Sequence, residues 1–218
     1  MPVITIGRQF GAGGTTVGEM LARRLKIDLL ESRIIDEVAH RLQLPKEEVE
    51  AEDEQPGSLL GRLLVALGSA STEPMIPPEA TAWNPPNSDP TFDTRKAVLQ
   101  ITQHVIQEAA REGNVVIVGR GGGYILRDFP GALHVFLRAA TEARVKTVMA
   151  RFKITSEDEA RKRIKSTDEN WTSYIKQVYS HDRNLPAHYD MVLDTGTLGY
   201  EATVDVIVAA LEHRHSLT

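Results

Sequence analysis

Five short apolar runs, Pro2–Ile6, Ile27–Leu30, Val115–Val118, Ala132–Leu137 and Tyr189–Leu193, alternate with stretches of helical periodicity. No other feature limits the fold as much. Strands joined by helical crossovers pair in parallel, and a parallel sheet has to be covered on both faces. The expected helices begin with Thr15 onward, where Val17, Met20, Leu21, Ala22 and Leu25 share one side. Ser32 reads as the N-cap of a helix ending before Pro45. Later helices are expected over Thr94–Arg111, Thr141–Phe152, Thr155 to about Tyr179, and Glu201–His213. The pattern predicts an α/β fold: a parallel β-sheet flanked by helices on both faces, as one domain over residues 1–218. Ligands of such sheets bind at the carboxyl ends of the strands, where the loops 7–16 and 119–124 should emerge.

Composition narrows the function classes. A net charge of −5 argues against a nucleic-acid-binding surface. The absence of cysteine excludes disulfides and thiolate metal sites. The N-terminus lacks a leader-like pattern, and no run approaches the ~20 apolar residues of a membrane span, so no membrane partner is expected and the cytoplasm is the expected location. Between Lys46 and Asp93 the character changes. Residues 47–54 are acidic, which suits a solvated helix face. Leu59, Leu60, Leu63, Leu64 and Leu67 form a stripe suited to the core or to a homodimer contact, and Ser69–Asp93 is a proline-rich loop.

The first strand leads into GRQFGAGGTTVGEMLARRL, residues 7–25. Small residues between a strand and a helix let successive backbone N–H groups point into one concavity, and the helix N-terminus adds partial positive charge there. Gly11, Ala12, Gly13 and Gly14 supply the small residues, and Thr15 or Thr16 offers a hydroxyl to Mg²⁺. The phosphate-loop pattern G-x-x-x-x-G-K-[ST] puts a lysine after its second glycine. With Gly13 as that glycine, Arg8 stands at the first position and Gly14 at the lysine position. Arg8 is thus either a replacement cation or a salt-bridged brace of the loop. Arg120 follows the most apolar strand and is flanked by glycines, a placement that faces the ligand crevice with a fork suited to phosphate.

In order and spacing, ITIGRQFGAGGTTVGEMLARRL, VVIVGRGGGY, FLRAATEARVKTVMARF and YDMVLDTGTLGYEATVDVI resemble the cytidylate kinase-like family, relatives of the bacterial cytidylate kinases among the P-loop nucleoside monophosphate kinases. The resemblance covers most of the chain outside about residues 50–93. It implies a core, an acceptor-side helical segment over about residues 31–93, and a closing helical LID over about residues 155–180. It also implies ATP as donor with Mg²⁺, and CMP, dCMP or another small phosphorylated acceptor. A glycine loop without lysine is common among these relatives. By the resemblance Gly11–Thr16 match the donor-phosphate loop, and Arg120 the arginine of a GRD motif whose aspartate is here Gly121. Arg151 flanks the donor base, Arg33 lies near the acceptor phosphate, and Arg161, Arg163, Lys165 and Asp168 fall in the LID. Asn170 and Trp171 stand where cytidylate kinases carry LID arginines. Arg8, Arg120, Arg161 and Arg163 are therefore the candidate catalytic cations. The LID segment, charged and poor in apolar stripe, is expected to have little to anchor it. Three readings follow: a cytidylate kinase-like enzyme, a kinase of a different small molecule, or a nucleotide-binding regulatory protein with little transfer activity.

Overall fold

Alternate residues of the first apolar run face opposite sides of one sheet. Ile4 and Ile6 join one hydrophobic cluster, while Val3 joins another. This run is β1 (Val3–Arg8), and it pairs in parallel on both flanks. The computed structural model describes residues 1–31, Ile34 and 94–215. Beside β1 it holds β2 (Asp28–Leu30), β3 (Val115–Val118), β4 (Ala132–Arg138) and β5 (Met191–Asp194), all parallel in the order β2-β3-β1-β4-β5. The register sets Val3 opposite both Val115 and Ala132. The connections diverge between β1 and β4, because the chain leads from β1 toward β2 on one side and from β4 toward β5 on the other. A ligand crevice belongs at the carboxyl ends of these two strands.

Helices α1 (Gly14–Leu25) and α7 (Tyr200–His215) cover one face, packing Val17, Leu21, Val204, Ile207 and Leu211 on Ile4, Ile6, Val116, Val118 and Val135. On the other face α2 (Thr94–Glu112) brings Val105, Ile106 and Ala110 onto Val3, Val115, Ile117 and Ala132. Two one-turn helices follow strands: α3 (Gly122–Ile125) after β3 and a three-residue turn, and α6 (Thr195–Leu198) directly after β5. Neither has the length for a periodic signal in sequence. Outside the sheet layers lie α4 (Thr141–Phe152) and α5 (Glu157–Tyr179). Ser156 caps α5 by accepting from the Glu159 N–H at 3.4 Å.

The segment around residues 155–180 corrects one expectation. It is a single 23-residue helix, and it is anchored: Ala160 and Ile164 are buried with Val145 and Val148, and Phe10, Met149 and Phe152 close over them. The apolar positions are few, which hid the stripe among charges, but they fall on one face. The helix expected from Ser32, the acidic run, the leucine stripe and the proline-rich loop lie outside the described residues, as does Arg33. No helix among the described residues is long and apolar enough to cross a membrane.

One polar pair sits inside the second cluster's face. Thr5 and His134 are buried on neighbouring strands, with Thr5 Oγ1 and His134 Nδ1 2.7 Å apart. Burial, reinforced by Arg214, holds the imidazole below its usual pKa, and Asp190 opposes this only in part. The unfolded chain therefore takes up a proton on this histidine at a higher pH than the folded chain does. The sign follows: stability from this group is intact above about pH 6.5 and is lost as pH falls below it. We expect the denaturation midpoint of the wild type to drop between pH 7 and 5.5 more steeply than that of His134→Gln. Parallel slopes in urea melts across this range would rule the effect out.

Candidate functional site

The loop after β1 is held from three directions. Gln9 Oε1 accepts from the Ala139 N–H at 3.2 Å, and the Gln9 N–H donates to the Leu137 carbonyl at 2.9 Å. The Phe10 N–H donates to Asp168 Oδ1 at 2.9 Å, and the Thr195 hydroxyl donates to the Ala12 carbonyl at 2.9 Å. Gly13, at φ 77°, is the N-cap of α1 and provides no side-chain cap. The first N–H groups of α1 consequently have no capping side chain. A Cβ at Gly13 would lie 2.3 Å from the Tyr200 ring, so this turn is closed to larger residues on steric grounds as well.

Gly14 has a different reason to be glycine. Its backbone is not left-handed, but a Cβ there would lie 2.8 Å from Arg8 Cγ and 2.9 Å from Cδ. The arginine stem thus fills the volume beside the position where a phosphate loop normally carries lysine. The guanidinium end runs on to Gly119, at the tip of β3, where a Cβ would fall 1.8 Å from Arg8 Nη1. There Arg8 Nη2 meets Glu31 Oε1 at 3.2 Å, and the Thr15 hydroxyl donates to the same oxygen at 3.0 Å. Burial lowers the Arg8 pKa, Glu31 raises it, and Arg183 and Arg151 push it down further. Of the two hydroxyls proposed for a metal, Thr15 is turned inward to Glu31, whereas Thr16 is exposed.

On the other side, Asp168 joins α5 to the loop. Besides the Phe10 N–H, it takes Arg144 Nη1 at 2.5 Å and lies 3.6 Å from Arg183 Nη1. Arg183 is buried, and its Nη2 also donates to the Arg8 carbonyl. Arg163 lies 3.8 Å over the Phe152 ring and Arg151 lies 5.5 Å from it, while Phe10 stacks on Phe152 at 5.8 Å. Burial lowers the Arg163 pKa, opposed by Glu159 and aided by Arg151. These two arginines thus stand beside the glycine loop. Arg161 does not: it pairs with Glu142 at 2.6 Å and Glu157 at 3.6 Å on the outer surface. Helical periodicity turns residues two apart to different faces, so Arg161 and Arg163 cannot share a role.

Between the loop and α5 opens a cleft of about 620 Å³, counting space open to solvent. Arg8, Arg120, Arg183, Tyr124, Phe136 and Trp171 are among its walls. Arg120 has φ 54°. The other non-glycine residues with positive φ follow helix ends, whereas Arg120 lies between β3 and α3, flanked by Gly119 and Gly121 at φ 78° and 73°. This strained turn aims the arginine at the cleft. A Cβ at Gly121 would lie 2.8 Å from the Tyr179 ring, which accounts for the missing aspartate of the GRD pattern. The Tyr189 hydroxyl donates to the Arg183 carbonyl at 2.8 Å and stands 2.8 Å from the Tyr124 hydroxyl. Sequence reading passed over Arg183 and gave Glu31 no role of its own. The available signals were an arginine flanked by Asp182 and Asn184 shortly before the last strand, and a carboxylate directly after the second.

Comparison with known proteins agrees with the fold. A model of the cytidylate kinase-like family matches residues 3–197. The chain belongs to the cytidylate kinase-like family. Among curated relatives, a cytidylate kinase of Methanopyrus kandleri is 32% identical over 114 residues, 49% of this chain and 58% of that protein. The chain thus spans little more than half the length of that relative. A cytidylate kinase of Pyrobaculum islandicum is 26% identical over 99% of this chain and 98% of its own length. Among solved structures, an uncharacterized protein from Eubacterium ventriosum superposes with a TM-score of 0.65 at 19% identity, covering 97% of this chain and 99% of its own. A shikimate kinase from Bacteroides thetaiotaomicron gives 0.53 at 14% identity, covering 97% and 98%. The fold is that of the P-loop kinases.

Two stability tests follow from the geometry of this family member. Gly119→Ala should lose roughly 1 kcal/mol to its left-handed backbone alone, and more by evicting the Arg8 guanidinium. Urea denaturation will measure it, and an unchanged midpoint would mean that Arg8 does not occupy this notch. Asp168→Ala leaves Arg144 and Arg183 without their carboxylate and should cost about 3 kcal/mol, the scale for breaking a buried pair. A loss under about 1 kcal/mol, the scale of a surface pair, would demote the network to surface electrostatics.

Proposed function

We propose that the protein is an ATP-dependent phosphotransferase acting on a small phosphorylated acceptor, with CMP and dCMP first, and that Arg8 replaces the lysine its glycine loop lacks. The observation that carries this reading is the fit of the Arg8 stem against Gly14. Membership of the cytidylate kinase-like family supports a nucleotide kinase-like activity, and the names of the archaeal relatives support the choice of acceptor.

In this reaction an oxygen of the acceptor phosphate attacks the γ-phosphorus of ATP. The bond from that phosphorus to the β–γ bridging oxygen breaks, and ADP leaves. Such a transfer requires alignment and charge neutralisation more than covalent help. The N–H groups at the start of α1 receive the donor phosphates, and Arg8 meets the γ-phosphoryl group from the sheet side. Arg120 and Arg183 hold the acceptor phosphate, and Tyr124, Phe136 and Trp171 offer flat walls to its base. Arg151 and Arg163 flank the donor beside α5, the LID of this reading. The Thr15 hydroxyl is a hard oxygen donor that fits Mg²⁺, with nucleotide phosphates and water filling its shell. When bound, Mg²⁺ would neutralise charge on the donor phosphates. Among the described residues no three acidic or histidine side chains gather to hold a metal unaided, which suits an ion that arrives with its nucleotide.

A second reading, a nucleotide-binding regulatory protein, draws on Gly121, where the GRD aspartate is absent. One assay separates the two. With ATP, Mg²⁺ and a panel of monophosphates, coupled detection of ADP should show turnover with one acceptor class. Arg8→Ala should then lower kcat by at least roughly 10²-fold, the scale for one preorganised transition-state donor, and weaken ATP binding far less. Turnover that survives Arg8→Ala would overturn the relocated cation. Thermal stabilisation by nucleotides with no ADP formed would favour the regulatory reading.

A further inference from the structure

We infer that Glu31 is a positioning residue that sets the Arg8 guanidinium and the Thr15 hydroxyl in one arrangement, across the tip of the strand that separates them. The inference deepens the kinase reading and rests on it for its kinetic consequences.

The argument begins with strand order. Glu31 directly follows β2, Arg8 ends β1, and β3 lies between them. Neighbouring strands are about 4.8 Å apart, so the outer two are separated by roughly 10 Å. Two long side chains close that distance only by passing over the end of β3. The residue there is Gly119, where any Cβ would fall on Arg8 Nη1. The glycine is thus the opening through which the ion pair forms.

Electrostatics give the carboxylate its task. An arginine stays protonated in a folded protein, so burial acts on Arg8 as a penalty on its position. Arg183 and Arg151 both repel it, and Glu31 is the opposing charge. Without that charge the guanidinium would be driven toward solvent, out of the space beside Gly14. The same carboxylate oxygen accepts the Thr15 proton at 3.0 Å. A hydroxyl whose hydrogen is committed in one direction turns its lone pairs in others. One oxygen therefore orients both a cation and an acceptor at the mouth of the glycine loop.

The test uses the whole chain and the isosteric variant Glu31→Gln, which keeps the shape and removes the charge. Three readouts are taken. Side-chain ¹⁵N NMR of Arg8, assigned by loss of its signals in Arg8→Ala, should show restricted guanidinium rotation in the wild type and fast rotation in Glu31→Gln. Calorimetry should find the ATP dissociation constant within about threefold, while kcat falls roughly 10- to 100-fold, the span of a charge-assisted hydrogen bond. In the Arg8→Ala background Glu31→Gln should add less than about twofold, because residues acting as a unit are not additive. Equal loss in both backgrounds, or unchanged Arg8 dynamics, would overturn the inference. If wild-type protein transfers no phosphoryl group to any acceptor, the kinase reading fails, and the NMR comparison alone decides whether Glu31 positions Arg8. Should Glu31→Gln lower the thermal midpoint so far that no folded sample remains, Thr15→Val replaces it. That variant should leave Arg8 restrained while lowering kcat, and free rotation of Arg8 in it would overturn the inference.

Discussion

A carboxylate on an outer helix closes the loop at the centre of the sheet. Asp168 belongs to α5, yet it accepts the backbone N–H of Phe10 and faces the buried guanidinium groups of Arg144 and Arg183. Arg183 passes the connection on to the carbonyl of Arg8, the last residue of β1. A buried ionic network of this kind adds little net stability over an apolar core, but losing one member leaves charges stranded. Its effect is on geometry. The glycine loop, α4, α5 and the wall of the cleft are held in one relation, alongside the small apolar cluster around Val148 and Ile164.

Charge in the site is divided between two acids. Arg8, Arg151, Arg163 and Arg183 crowd within a space that also takes Arg120, and burial chiefly lowers the pKa of Arg8, Arg163 and Arg183. Asp168 compensates the inner side and Glu31 the outer. The overall balance of −5 says nothing of this, since a net charge does not record where cations gather.

The fold was legible because its strands obey a simple rule. Each buried run of Val, Ile and Leu at the predicted places became a strand of the parallel sheet, and the helices between them carried 3.6-residue periodicity. The placing of Arg8 and Gly14 against the phosphate-loop pattern was also legible, because a motif fixes positions in sequence. The ion pairs were not. Asp168 is 158 residues from Phe10 in the chain, and Glu31 is 23 from Arg8, so neither partner leaves a local signal. Arg161 and Arg163 read alike as charged LID residues, and only the phase of α5 separates a surface pair from a ring-stacked neighbour of the loop. The reasons for particular glycines were hidden as well. Gly14 was read as one of the small residues of the loop, but the constraint on it is the arginine stem.

That stem also decides which rigid body carries the cation. A lysine at the head of α1 would travel with the helix whenever the helix tilts or shifts on binding a nucleotide. Arg8 hangs instead from the end of a strand bonded on both flanks, with β3 on one side and β4 on the other. Its charge is therefore fixed in the reference frame of the sheet. Positions 8, 14 and 119 then share a single volume, which any lineage can fill from the strand or from the helix, but not from both.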